Sequence, residues 1–286
     1  MKPLIISSSA KGKKIAIALL LVSLIGASAV CFSLYNSEPE PAMPDSQQPQ
    51  EESKALEPMD PELRSRWLES KAINEDYIGE IIFDSGLIEL PFVQAKDVYR
   101  EDGAMYRFYT EDGALVEDPE GYTGNDVYIW TSWKTGEYDR YGEGGSTFMD
   151  YRNALDDDVM VIYGHHFARD YDPSGSRLFT PLDLLLEKEN YESNRTLELV
   201  LDNEIRRYEV AMVCIADVTD ADDIAIIADL AYDKNIISRM EDAAAYDTGV
   251  RIEEGDRLLV LVTCIEHMPQ LRQFVVCRQT EVKKFG

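Results

Sequence analysis

Apolar positions fall along the chain in three regimes. From Ile15 to Ser37 they form an uncharged run rich in Leu, Ile, Ala and Val, and about 20 such residues suffice to span a bilayer as a helix. From Glu38 to residue 60, Glu, Pro, Ser and Gln take over, a composition that cannot bury enough apolar surface to fold alone and whose prolines favour extension. Beyond Pro61 the apolar runs become short, interrupted and rich in β-branched and aromatic residues, as expected of many short strands.

Within that third region, PELRSRWLESKAIN (61–74) places Leu63, Trp67 and Ile73 at approximate helical spacing behind an Asp60-Pro61 start, which predicts a short amphipathic helix. Tyr77–Phe83 and Gly86–Val93, split by Asp84-Ser85-Gly86, predict a hairpin. Between residues 101 and 145 only pieces read as strand, Met105–Thr110 and Val127–Trp133, among many Gly and Asp. Val159–Tyr163 reads as a strand, and Leu178–Lys188 as a helix started by Thr180-Pro181. Thr196–Leu201 should pair with Arg207–Ile215 across Asp202-Asn203-Glu204. From Asp220 to Tyr246 an apolar face of Ile224, Ile227, Leu230 and Ile236-Ile237 predicts one or two helices. Strands at Arg257–Cys264 and Gln273–Arg278 follow, joined by a loop holding Glu266, His267 and Arg272. Such a mostly β chain with one helical crossover fits a closed or nearly closed barrel.

The 286 residues therefore divide into a basic N-terminus (1–14), a membrane span (15–37), a tether (38–60) and one domain (61–286). Lys2, Lys11, Lys13 and Lys14 precede the span and should remain cytoplasmic, so the domain faces outward. Ala27-Ser28-Ala29 offers an alternative as a signal-peptide cleavage site, but the apolar run continues past it through Val30, Cys31, Phe32 and Leu34. Val30 also disfavours lipidation of Cys31. With those four lysines inside, the outer portion is more acidic than the formal net charge of −26, which argues against nucleic acid as a partner. Of the four cysteines, Cys214 and Cys277 lie in apolar runs and read as buried thiols rather than a disulfide, leaving Cys264.

Cys264 ends the strand Leu258-Leu259-Val260-Leu261-Val262-Thr263 and meets polar loop residues at once. A thiol reacts as its thiolate, and a cationic or hydrogen-bonding neighbour must lower its pKa from about 8.5. Val161-Ile162-Tyr163-Gly164 delivers His165 and His166, two of only three histidines, where imidazole can serve as acid or base near neutral pH. A metal site is disfavoured there, because adjacent strand residues face opposite ways and no ligand-spaced cluster accompanies them. Arg272 opens the last strand with a planar fork of donors suited to a carbonyl or oxyanion. Alone, the cysteine has an ordinary reading as a core thiol and the arginine as a solvated side chain.

Together these pieces resemble the sortase family over roughly Asn74 to Lys284. Phe148-Met149-Asp150-Tyr151-Arg152-Asn153 before Gly164-His165, and Ile88-Glu89-Leu90-Pro91-Phe92-Val93-Gln94 upstream, resemble class B in particular. The resemblance implies an eight-stranded β-barrel with an N-terminal helix and a helical insertion before the last strands. It implies Cys264 as nucleophile, His165 as the group that protonates the leaving amine and activates the incoming one, and Arg272 as carbonyl and oxyanion stabiliser. Thr263 and Val262 would contact substrate, although Val262 stands where the family often has a small hydroxyl residue. The implied reaction is cofactor-free transpeptidation at the membrane of a Gram-positive cell. A surface protein's sorting signal is cut after Thr, and the acyl group passes from a cysteine thioester to an amine of a peptidoglycan precursor. Alternatives are a pilus-assembling enzyme that uses a pilin lysine, or an inactive wall-exposed binding domain. The connection from Glu101 to Gly145 is longer than usual for the family, and is expected to add a wall to the groove.

Overall fold

The computed structural model describes residues 56–220, 229–231, 234–265 and 268–286. The basic N-terminus, the predicted span 15–37 and the tether as far as residue 55 lie outside the described residues. So do Glu266, His267 and parts of the predicted helical stretch, 221–228 and 232–233. Among the described residues no helix is long and apolar enough to cross a membrane.

Helix α1 spans Pro61–Ile73, and the Asp60 carboxylate caps it by accepting from the amides of Glu62 and Leu63 at 2.9 and 3.2 Å. Its attachment differs from the predicted apolar stripe, because Ile73 is 56% exposed and only Trp67 is buried. Trp67 donates from Nε1 to the Ile78 carbonyl at 3.3 Å and packs edge-on against Tyr77. Arg66 adds an ion pair with the mostly buried Glu80 at 2.7 Å.

Eight strands close the barrel: β1 (Tyr77–Phe83), β2 (Glu89–Val93), β5 (Thr147–Met149), β6 (Val159–Tyr163), β7 (Thr196–Val200), β8 (Glu204–Asp217), β9 (Leu258–Ile265) and β10 (Met268–Lys284). Their order is β1-β2-β5-β6-β9-β10-β8-β7, with β7 returning to β1. The pairs β2–β5 and β6–β9 are parallel, and the remaining neighbours are antiparallel. Both predicted hairpins form, β1–β2 and β7–β8. A separate two-stranded ribbon, β3 (Phe108–Tyr109) with β4 (Leu115–Val116), lies in the long connection.

Side-chain alternation sorts most of the core into two layers, and a third cluster packs Tyr77, Val93 and Phe148 against Trp67, Tyr128 and Trp133. Residues from every barrel strand, among them Phe83, Phe92, Met149, Ile162, Leu199, Tyr208, Leu261 and Val275, fill the interior. The opposite faces of β6, β8, β9 and β10 carry Val161, Met212, Val260 and Phe274, and are covered by Leu230, Ala231 and the helix Ile236–Met240. Burial on both faces explains why β9 reads as an unbroken apolar run. Cys214 belongs to the outer layer and Cys277 to the interior, so the sheet separates them and no disulfide joins them.

Two local predictions need correction. Val127–Trp133 is not a strand: Val127 ends a single helical turn, Gly124–Val127, and the residues after it have no regular ladder. Arg272 lies within β10, which begins at Met268, and not in the loop before the last strand. The helix predicted at 178–188 forms as a 3-10 helix over Thr180–Leu186, whose Leu182 and Leu185 reach the interior core.

Candidate active site

Cys264 and Arg272 sit on the neighbouring strands β9 and β10, and His165 lies two residues past the end of β6, which flanks β9 on its other side. Along β9, Leu258, Val260 and Val262 face the outer layer, while Leu259 and Leu261 face the interior. Cys264 continues the outer series just beyond the apolar core and is half-buried. Its direct cross-strand partner is Arg272, and directly opposed residues share one face of a sheet. The Arg272 Nη1 donates to the Leu271 carbonyl at 3.0 Å.

His165 is delivered by Gly164, which β9 grips twice. The Gly164 amide donates to the Val262 carbonyl at 3.1 Å, and the Gly164 carbonyl accepts from Thr263 Oγ1 at 2.8 Å. Glycine is required there, since a Cβ would stand 2.6 Å from the Phe179 ring. Val262 and Thr263 are therefore part of the same junction. Both side chains are buried, Val262 in the outer layer and Thr263 bonded to the Gly164 carbonyl, so the Val262 carbonyl and the Thr263 hydroxyl hold the histidine segment.

The segment before β6 explains the upstream sequence motif. Asp150 is fully buried and accepts from Arg152, Asn125 Nδ2 and Tyr163 Oη at 2.8 to 3.2 Å. Burial alone would raise its carboxyl pKa, but the Arg152 donors outweigh it and hold it below the usual range. Gln94 Nε2 donates to the carbonyls of Asp150 and Asn153 at 2.6 and 2.9 Å. The Asn153 side chain donates to Val159 and accepts from the Val161 amide. These bonds fix the start of β6, and with it the position of Gly164-His165.

Cys264 and His165 line one cavity of about 280 Å³, together with His166, Tyr171 and three residues of the 101–145 connection: Glu111, Trp130 and Arg140. The Arg272 side chain is not part of that lining. The His165 Nε2 donates to the Ile129 carbonyl at 2.8 Å, and the ring stacks on Trp130 with centroids 4.3 Å apart and planes 22° from parallel. Burial pushes its pKa down to about 4, against the upward pull of the Ile129 carbonyl, so the imidazole is neutral at pH 7. His166 is engaged elsewhere, with Nε2 2.8 Å from the Asp183 carboxylate. A larger cavity of about 720 Å³ beside Asn74, Asp76 and Tyr106 carries no cysteine or histidine.

Sequence reasoning missed Glu111, Trp130, Arg140 and Tyr171. Their only signal was a dense mixture of aromatic and charged residues in a segment lacking strand or helix periodicity.

A closed eight-stranded barrel with an N-terminal helix and a helical covering before its last two strands has the fold of the class B sortases. Sortase B of Clostridium perfringens superposes with a TM-score of 0.56 at 20% identity, covering 75% of this chain and 99% of that one. A Staphylococcus aureus sortase B–substrate complex gives 0.54 at 20% identity, over 76% and 86%. A Streptococcus pyogenes class B sortase involved in pilus biogenesis gives 0.54 at 19% identity, over 75% and 98%. No family model matches the chain, and no curated protein does.

Proposed function

We propose that the protein is a sortase-type cysteine transpeptidase in which Cys264 is the nucleophile, His165 the acid–base group and Arg272 the oxyanion stabiliser. The observation that carries this reading is the placement of Cys264 and His165 on one cavity, with Arg272 directly across the ladder from the cysteine. The Cys264 thiol passes its proton to His165 as its sulfur attacks the carbonyl of a threonine in a surface protein's sorting signal, and His165 gives that proton to the departing amine. The resulting thioester is opened by an incoming amine, which His165 deprotonates. Arg272 exchanges its Leu271 carbonyl for the developing oxyanion. The acceptor is a peptidoglycan-precursor amine, and residues 15–37 anchor the enzyme at the outer side of the cell membrane.

The test is trapping of the acyl-enzyme. A library of sorting-type peptides, presented without an amine, should leave a thioester on Cys264 that mass spectrometry localises, and Cys264→Ala should form none. Arg272→Lys keeps the charge but loses the fork, and should lower the rate by about 100-fold to 1000-fold. An acyl group on Cys214 or Cys277, or cleavage by Cys264→Ala, would remove the assignment.

A further inference from the structure

We propose that the 101–145 connection supplies a positioning residue for the candidate base. Trp130, with the carbonyl of Ile129 beside it, holds His165 as one neutral tautomer whose proton is on Nε2, so that Nδ1 is the nitrogen left to exchange protons. The inference rests on the reading of His165 as acid–base group, and adds to it which atom works and which segment fixes it.

The geometry leaves the ring little choice. A carbonyl only accepts, so the 2.8 Å contact between His165 Nε2 and the Ile129 oxygen places the ring proton on Nε2. Rotation of the ring is blocked on one face by Trp130 at 4.3 Å, while Phe167 packs at 5.8 Å and 56°. Trp130 is itself braced. The Arg140 guanidinium lies 5.4 Å from its ring centroid and is paired with Glu111 at 2.8 Å, and the Asp139 amide donates to the Trp130 carbonyl at 2.8 Å.

The Ile129 carbonyl is equally confined. A Cβ on Gly145 would stand 2.0 Å from that oxygen, and Gly145 has φ +83. On the preceding residue, Tyr128 Oη donates to Asp76 at 2.6 Å, and Asn74 Nδ2 donates to Tyr128 Oη at 2.9 Å. The wall is therefore tied to the junction of α1 and β1, outside the strands that hold Cys264.

The charged groups around the ring do not account for a fixed neutral state alone. Glu111 favours the protonated imidazole, Arg140 and Arg177 oppose it, and all three effects are smaller than desolvation. Cys264 shares the cavity, and His166 is occupied by Asp183. Removing the indole admits water to the ring and frees its rotation, so both the titration and the tautomer should respond.

The test is a pH titration of the full chain, labelled with 15N at its three histidines, following two-bond 1H–15N correlations that distinguish the ring nitrogens. His165→Gln assigns the signals. Wild type should show the Nε2-H form at neutral pH, with a midpoint well below the ordinary value of about 6.5. Trp130→Ala should raise that midpoint by about one to two units and populate both tautomers. Trp130→Phe, which keeps a stacked ring, should stay near wild type. A wild-type midpoint near 6.5, a proton on Nδ1, or an unchanged titration in natively folded Trp130→Ala would overturn the proposal. If Trp130→Ala fails to fold, the wild-type tautomer and Trp130→Phe still decide. The readout needs no substrate, so a failure of peptide cleavage would count against the transpeptidase reading and not against this one.

Discussion

On the barrel side of the cavity, the β6, β9 and β10 ladder sets where Cys264, Arg272 and Gly164-His165 can stand. On the facing side, residues 127–145 cross with almost no regular hydrogen-bond ladder, and are held by scattered backbone bonds, by packing of Val127, Tyr128 and Trp133 against Tyr77 and Phe148, and by side chains: Tyr128 on Asp76, Ser146 Oγ on the Thr131 carbonyl, Arg140 on Glu111. The contrast is physical. A ladder fixes a residue through many equivalent backbone bonds, and most single side chains in it can change without moving their neighbours. A wall made of a few specific contacts depends on each of them. The barrel side thus supplies the position of Cys264, while the wall bears on the state of His165.

The largest effect expected would break the first half of this contrast, because one side chain supports the ladder's start. Asp150→Ala removes a fully buried carboxylate, with its ion pair to Arg152 and its bonds to Asn125 and Tyr163, so unfolding in urea should show a loss of about 3–5 kcal/mol. A loss below about 1 kcal/mol would show that β6 is placed by the ladder alone.

An intermediate effect comes from the histidine that joins the two sides. With its folded pKa lowered to about 4 and an unfolded value of about 6.5, the unfolded chain binds the extra proton between those limits. Its stability contribution is therefore fully present above pH 6.5 and lost as pH falls toward 4, on the order of 3 kcal/mol in total. Stability curves of wild type and His165→Gln should converge across that window as pH falls. Parallel curves would mean that the wall does not shield the ring.

The smallest effect sharpens the wall itself. Gly145→Ala places a methyl against the Ile129 carbonyl in a left-handed conformation, and should cost about 1–3 kcal/mol by thermal unfolding. It should also shift the His165 signals while leaving alkylation of Cys264 measurable. An Ala variant as stable as wild type would show that the crossing can relax.

Much of the barrel was legible in the residues. Short β-branched runs split by turn residues gave β1–β2 and β7–β8, the unbroken apolar run gave β9, and Asp60-Pro61 gave the start of α1, because each signal is local and repeats along its element. The residue types at the candidate site were legible for the same reason: a strand that ends in Thr-Cys, and a glycine before the histidine. Tertiary structure decided the rest. That Thr263 bonds Gly164 and that Trp130 stacks on His165 depend on contacts between residues 99 and 35 positions apart, and that Trp67 is the one buried residue of α1 depends on its packing against Tyr77. No local pattern encodes such contacts, since their energy appears only when the barrel has brought both partners to the same cavity.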